Sequence, residues 1–102
     1  MAMNEKITQV LFSVLDELNL LRPKDEQLEK DLETPLAGDS GQLDSAGLIN
    51  LIVLTEQKAA QMLGTPVLLT DDRTMSQITG VFRTVGSLAD HIHLLLDEKR
   101  DG

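Results

Sequence analysis

Two adjacent polar side chains, those of Asp44 and Ser45, precede the most apolar stretch of the sequence. A serine hydroxyl can act as a nucleophile or accept a covalent group, but nucleophilic attack requires a base that takes its proton. No such base is visible near Ser45 in the sequence, although the members of a catalytic triad can come from distant positions. Both residue types also cap helices well, so a helix start is the simplest structural role for the pair.

The other residues that could do chemistry do not form a recognisable set. His91 and His93 are two positions apart, which places them on different faces of a helix, so they do not easily bind one metal ion. Each is expected at the solvent edge of the last helix. Asp71 and Asp72 are better explained as helix caps than as an acid–base pair, and the chain has no cysteine. An enzyme and a metal site are therefore both disfavoured.

The composition is that of a small acidic domain. The 102 residues suffice for one domain, 1–102, with a modest core, and only two of them are aromatic. An aliphatic core favours packed helices over a β-sandwich. The net charge of −8 disfavours nucleic acid and anionic membranes as partners and favours a basic protein. Seven carboxylates lie within residues 25–44, a segment that is most simply a solvated loop.

Nothing in the sequence predicts export or membrane anchoring. No secretory signal follows the first residues, and no apolar run approaches the length of a membrane span. We therefore expect a cytoplasmic protein that does not insert stably into membranes, and we expect it to be a monomer.

Four helices are predicted from apolar periodicity and capping signals, at about residues 4–20, 44–63, 72–79 and 84–98. Asn4, Asp44 and Thr84 are the expected N-caps of the three long helices, and Gly80 is expected to close the short one. The predicted fold is all-α, a small irregular four-helix bundle with three long helices, one short helix and a long loop between the first two.

The two longest connections are predicted to be irregular. Residues 22–43 are polar and contain breakers, so they are expected to form the long loop. Residues 67–73 have the composition of a strand, but no partner strand is evident elsewhere in the sequence. We therefore expect an extended segment whose Val67, Leu68 and Leu69 pack onto the core.

On a helical wheel, the second helix has two apolar surfaces instead of one. A broad arc faces the expected core and comprises Leu48, Leu51, Ile52, Thr55, Ala59 and Met62. The opposite side is polar, with Leu54 as its exception. Ile49, Val53 and Ala60 form a narrow strip beside the core arc, on the same side as Ser45. Two explanations weigh equally here: the strip binds a partner, or the 22–43 loop covers it.

Residues 43–57, "LDSAGLINLIVLTEQ", resemble the modification site and recognition helix of acyl carrier proteins and their peptidyl-carrier relatives. Residues 82–92, "FRTVGSLADHI", are similar to the last helix of that family. By this resemblance, Ser45 receives 4′-phosphopantetheine and Asp44 is the aspartate that precedes it. The resemblance also implies partner-contact roles, which fall on Ile49, Val53 and Glu56.

The resemblance implies a standalone, non-catalytic carrier with the acyl-carrier-protein fold. The thiol of its prosthetic group would hold an acyl or aminoacyl intermediate as a thioester. The implied partners are a phosphopantetheinyl transferase and the acyl-loading and acyl-processing enzymes of fatty acid, other lipid or secondary metabolism. The physical fit is good, because the first turn of a helix exposes a serine, and its N–H groups and dipole stabilise an anionic phosphodiester.

The second helix departs from the family pattern in its charge. Gly47 and Asn50 stand where acidic residues are frequent, and residues 44–63 carry a net charge of only −1. Thr55 also replaces a buried aliphatic residue, and additional residues separate this helix from the last one. We therefore expect a carrier dedicated to a particular pathway, with a partner interface that is more hydrophobic and less electrostatic than is usual.

Ser45 is not the only serine that follows an aspartate, because Asp39 precedes Ser40. Counting from Ser40, however, Asp44 would fall at the first apolar contact position and Gly47 in the buried series. That register does not fit an amphipathic helix, so Ser45 remains the candidate.

An unmodified adaptor is the alternative to a carrier. It would retain the helical fold and bind a partner protein through Ile49, Val53 and Leu54. The two functions differ in one measurable property, because Ser45 of an adaptor would not gain phosphopantetheine in the presence of a transferase.

Overall fold

Helices form most of the chain in the computed structural model, which describes residues 3–38 and 41–101. Its α-helices are α1 (Met3–Asn19), α2 (Ser45–Leu63), α3 (Asp72–Ser76), α4 (Ile78–Val81) and α5 (Val85–Asp101), and a short 3-10 turn covers Lys24–Glu26. No strand occurs within the described residues. The predicted all-α class is therefore confirmed.

Helices α2 and α5 begin where their capping residues predict. Asp44 is the N-cap of α2, and its Oδ1 accepts the Gly47 N–H at 2.8 Å. Gly64 ends the same helix in the left-handed region at φ 71°, which a glycine adopts without strain. Ahead of α5, Thr84 and Ser87 exchange two hydrogen bonds, each backbone N–H donating to the other residue's hydroxyl at 3.0–3.1 Å. This reciprocal arrangement satisfies two donors of the first turn.

Two predicted helix boundaries are wrong. Asn4 lies inside α1 and is not its N-cap. The short helix predicted at 72–79 is two helices, because the backbone leaves helical geometry at Gln77 (φ −117°, ψ 24°). The Gln77 N–H bonds the Thr74 carbonyl, a three-residue contact that ends α3 in a tight turn. Gly80 then lies within α4 instead of closing the preceding helix.

The core is mainly aliphatic and lies where α1 packs against α2 and α5. Its fully enclosed side chains include Ile7, Leu11, Leu15, Leu51, Phe82, Leu88 and Ile92. The core arc predicted for α2 is confirmed for most of its residues, including Thr55 and Ala59, which are 0% exposed. It is wrong for Met62, which is 45% exposed near the end of the helix.

The long loop is fastened to the start of α5 by backbone hydrogen bonds. They join Leu36 to Arg83, Ala37 to Phe82, Val85 to Thr34 and Gly86 to Leu32, with N···O distances of 2.7–3.1 Å. We call residues 32–37 and 82–86 the loop clamp. Leu28, Thr34 and Leu36 are buried, so the loop also contributes to the interior. Only its outward side is the solvated acidic surface that the composition predicts.

Candidate functional site

Ser45 is the first residue of α2, and its side chain is exposed. The neighbouring Asp44 is exposed as well, but its carboxylate is used as a cap on the Gly47 N–H. Asp44 therefore holds the first turn in shape, and Ser45 presents a hydroxyl at the positive end of a 19-residue helix. The alternative pair, Asp39 and Ser40, lies outside the described residues.

Ser45 forms one end of a groove of about 380 Å³ along α2. The α2 side of this groove consists of Ser45, Leu48, Ile49, Ile52, Val53 and Glu56, and Thr70, Met75 and Ile78 form the other side. We call it the α2 groove. Glu56 follows Ser45 by eleven positions, which corresponds to about 16 Å along a helix axis. The groove is therefore long, mainly apolar and open beside the serine.

The apolar strip predicted beside Ser45 is exposed. Ile49 and Val53 are 60% and 45% exposed, and Met75 faces them across the α2 groove at 37%. The loop that might have covered the strip is instead bonded to the start of α5 by the loop clamp, and none of its described residues lines the α2 groove. Of the two explanations for the strip, coverage by the 22–43 loop is thus wrong for the described residues. Ala60 is also exposed but does not line the groove.

Glu56 fixes the far end of the groove. Its Oε2 accepts the Leu69 N–H at 2.8 Å, which ties the connection after α2 back onto that helix. Leu69 and Val67 are buried as predicted, but Leu68 is 59% exposed. The prediction for Leu68 was wrong because the three side chains alternate between interior and solvent, as successive side chains of an extended segment do.

Leu54 is not part of the groove. It is partly buried and packs against the core, away from Ile49 and Val53. The groove instead receives Met75 and Ile78, which the sequence analysis did not single out. These residues belong to α3 and α4, and no pattern in a single sequence shows which side chains of separate helices share a groove.

Thr55 is the one polar side chain on the inward face of α2 whose hydroxyl lacks a partner among the described residues. It is 0% exposed, and its Oγ1 makes no hydrogen bond. A buried hydroxyl without a partner loses its hydration and gains nothing in exchange, which destabilises the folded state by about 1–3 kcal/mol.

The two histidines differ in environment. His91 is only 7% exposed, and its Nε2 lies 2.9 Å from Oγ1 of Thr74, which is fully buried. The expectation that His91 lies at the solvent edge is therefore wrong, because it links α5 to α3. His93 is partly exposed, with Nδ1 at 3.6 Å from Oδ2 of Asp97. Within the described residues, no group of three or more metal-ligating side chains could hold an ion.

Comparison with known proteins gives no relative. No protein-family model, curated protein or solved structure matches this chain. Among the described residues, none of the helices has the length and apolar character required to cross a membrane.

Proposed function

We propose that this protein is a carrier domain of the acyl-carrier-protein type, with 4′-phosphopantetheine attached to Ser45. The observation that carries the proposal is the position of Ser45, exposed on the first turn of α2 and at one end of the apolar α2 groove. A cap or a buried structural serine requires no such groove. For a serine that bears a long, partly apolar prosthetic group, such a groove can shield the apolar part of that group from water.

The residues around Ser45 fit such a group chemically. A phosphodiester at Ser45 is anionic, and the N-terminus of α2 provides N–H groups and a favourable dipole, worth about 0.3–1 kcal/mol. When bound, the group supplies a thiol that holds an acyl or aminoacyl unit as a thioester. The chain itself contains no cysteine that would compete for that unit. Asp44 keeps the first turn in place through the Gly47 N–H, so the Ser45 hydroxyl stays oriented toward solvent.

The proposed partners are enzymes. A phosphopantetheinyl transferase would modify Ser45, and acyl-loading and acyl-processing enzymes would use the modified protein in the cytoplasm. The low charge of α2 and the exposed Ile49 and Val53 favour a dedicated lipid or secondary-metabolite pathway. In this function the domain is a monomeric helical carrier and performs no catalysis.

Intact-protein mass spectrometry tests the proposal. The purified chain is incubated with coenzyme A and, in separate reactions, with several phosphopantetheinyl transferases. We expect the wild type to gain the mass of one phosphopantetheinyl group and Ser45→Ala to gain nothing. Ser40→Ala is the matched control, because it removes the other serine that follows an aspartate, and it should be modified like the wild type.

Two results would contradict the proposal. A wild type that no transferase modifies is not a carrier, and a Ser45→Ala variant that still gains the group has its attachment site elsewhere. The first result would favour the second candidate function, an unmodified adaptor. The exposed Ile49 and Val53 support an adaptor as well, since apolar contacts with a partner do not require a modified serine.

A further inference from the structure

A second apolar cleft lies between the connection that follows α2 and the last turns of α5. Its volume is about 340 Å³. Residues 66–68 and Asp71 form one side, and Leu95, Leu96 and Glu98 form the other. We call it the α5 cleft. It shares no lining residue with the α2 groove, so the two are separate surfaces of the molecule.

The α5 cleft also lies outside the two stretches that resemble carrier proteins. Those stretches are residues 43–57 and 82–92, and no residue of the cleft falls within them. One side of the cleft belongs to the connection in which this chain has residues additional to the family pattern. The resemblance therefore assigns no role to this surface, and its chemistry has to be derived from its own residues.

Leu68 gives the cleft an apolar wall that is open to solvent. Val67 and Leu69, on either side of it, are buried and anchor the connection in the core, whereas Leu68 is 59% exposed. The outward position of an alternating segment is ordinarily polar. A single exposed leucine would still be unremarkable, but Leu68 forms one continuous lining with Pro66 and Leu95. Contact with another apolar surface would remove this lining from water.

Buried polar contacts join the two sides of the cleft. Oδ1 of Asp71 accepts the Thr74 N–H at 2.9 Å and thereby caps α3. Thr74 is itself 0% exposed, and its Oγ1 lies 2.9 Å from Nε2 of His91, one helical turn before Leu95 in α5. These contacts hold the start of α3 against α5. The cleft is therefore formed before anything binds, which lowers the entropic cost of binding.

Two carboxylates accompany the apolar walls. Asp71 is partly exposed and Glu98 is exposed, and within the described part of the chain no basic side chain lines the cleft. The protein as a whole carries a net charge of −8, which attracts cations toward this surface. An apolar cleft with carboxylates beside it is complementary to an apolar side chain that is accompanied by a lysine or an arginine.

We propose that the α5 cleft binds a basic amphipathic segment of a partner protein, with an apolar side chain packed between Leu68 and Leu95 and a lysine or arginine beside Glu98. The cleft is at the lower end of the range for small-molecule sites, about 300–1,000 Å³, and its wall at Leu68 is exposed. It therefore suits a few side chains of a segment that lies across it better than a small ligand that must be enclosed. This binding does not depend on the proposed carrier function.

A synthetic peptide tests the chemistry of the occupant. The probe is a peptide of about four helical turns with leucines on one face and lysines on the other. Its dissociation constant for the unmodified protein is measured by calorimetry at about 0.15 M salt. We expect it to bind at least about tenfold more tightly than either of two control peptides, in which serine replaces leucine or glutamate replaces lysine. A Leu/Lys peptide that does not bind, or binds no better than a control, would overturn the inference.

Matched variants locate the binding energy. Leu68→Ser and Leu94→Ser both remove a leucine that is 59% or 51% exposed, but only Leu68 lines the α5 cleft. We expect Leu68→Ser to raise the dissociation constant at least about fivefold and Leu94→Ser less than about twofold. Glu98→Gln and Glu29→Gln both remove one negative charge, and only Glu98 lines the cleft. We expect the first to raise the constant about threefold and the second less than about 1.5-fold.

Nuclear magnetic resonance shows where the peptide binds. The amide signals of residues 95–98 discriminate between the two surfaces, because no residue of α5 lines the α2 groove. We expect these signals to shift on addition of the peptide. Shifts confined to α2 would overturn the inference, and so would a Leu68→Ser or Glu98→Gln variant that is folded by circular dichroism and binds like the wild type. None of these results bears on the mass gained at Ser45, so the carrier function is tested separately.

Discussion

The acidic segment 25–33 and the exposed side of α2 are both attached to buried anchors, but they present opposite chemistry to solvent. The segment is irregular and is held by Leu28 and by the loop clamp that follows it. Its outward side chains are mostly carboxylates. Helix α2 is held by a face that includes Leu51 and Ile52, and its outward side at the groove is apolar.

This difference separates two tasks that one surface would perform poorly together. The acidic residues of the chain outnumber the basic ones, and the resulting net charge of −8 favours solubility. The apolar residues of α2 can then remain exposed for the proposed contact with a partner, and no carboxylate of the acidic segment lines the groove beside them. Exposed apolar residues on a rigid helix are presented in a fixed geometry, whereas charges act over longer distances and need less exact placement.

The largest effect should come from removing the anchor of the acidic region. Leu36 is 0% exposed within the loop clamp, so Leu36→Ala should lower the free energy of unfolding by about 2–5 kcal/mol. Leu32→Ala is the control, because Leu32 is 46% exposed in the same clamp and should lose less than half as much. Urea denaturation measures both. Equal losses would mean that the clamp does not anchor the loop through Leu36.

The inward face of α2 should gain stability from one isosteric change. Thr55→Val replaces the unpartnered hydroxyl with a methyl group of similar size, so we expect unfolding to require about 1–3 kcal/mol more. The measurement is chemical denaturation, with modification of Ser45 as a check that the groove side is unchanged. Thr55→Ser is the control and should be destabilised, because it keeps the hydroxyl and leaves a cavity. A less stable Thr55→Val would show that the hydroxyl has a partner in solution.

Acidic residues on the two surfaces should differ in their contribution to stability. Asp44→Ala removes the cap on the Gly47 N–H and should lower the free energy of unfolding by about 1 kcal/mol. Glu29→Ala, on the exposed segment, should stay within about 0.5 kcal/mol of the wild type. Thermal unfolding at matched salt compares them. If both changes had the same small effect, the capping contact would contribute nothing to folding.

The smallest effects should come from two glycines and have opposite signs. A Cβ at Gly86 would lie 3.0 Å from the Leu32 carbonyl oxygen, which the Gly86 N–H already bonds at 2.7 Å. Gly86→Ala should therefore strain the loop clamp and destabilise the protein. A Cβ at Gly80 would meet nothing within 4 Å, so Gly80→Ala in α4 should stabilise it by about 0.5–1 kcal/mol. A Gly86→Ala variant that melts no lower than the wild type would contradict the close approach at Gly86, and a Gly80→Ala variant that melts lower would contradict the open space at Gly80.

The features that depend on local chemistry were predictable from the sequence. The Asp44 cap, the Gly64 terminus and the inward face of α2 follow from helix periodicity and capping, which are encoded within a few residues. The apolar strip at Ile49 and Val53 was also predictable. Its exposure to solvent was not, because it depends on where the long loop lies.

The features that depend on contacts between distant segments were not predictable. The burial of His91 requires Thr74 of another helix, 17 positions away. The opposite wall of the α2 groove comes from Met75 and Ile78, whose apolar character alone gave no reason to place them there. The break at Gln77 was missed for a related reason, since the sequence from Asp72 to Thr79 contains no helix-breaking residue.

The loop clamp has a consequence for how this protein can vary in length. Loops usually tolerate insertions because their backbone groups are solvated, but residues 32–37 use theirs to bond the start of α5. Residues 29–31, by contrast, are exposed, and their backbone groups make no bond to α5. Extra residues should therefore be accepted ahead of the clamp and rejected within it. An engineer who wishes to graft a tag or a second domain onto this loop should place it ahead of residue 32, where the register between loop and helix is preserved.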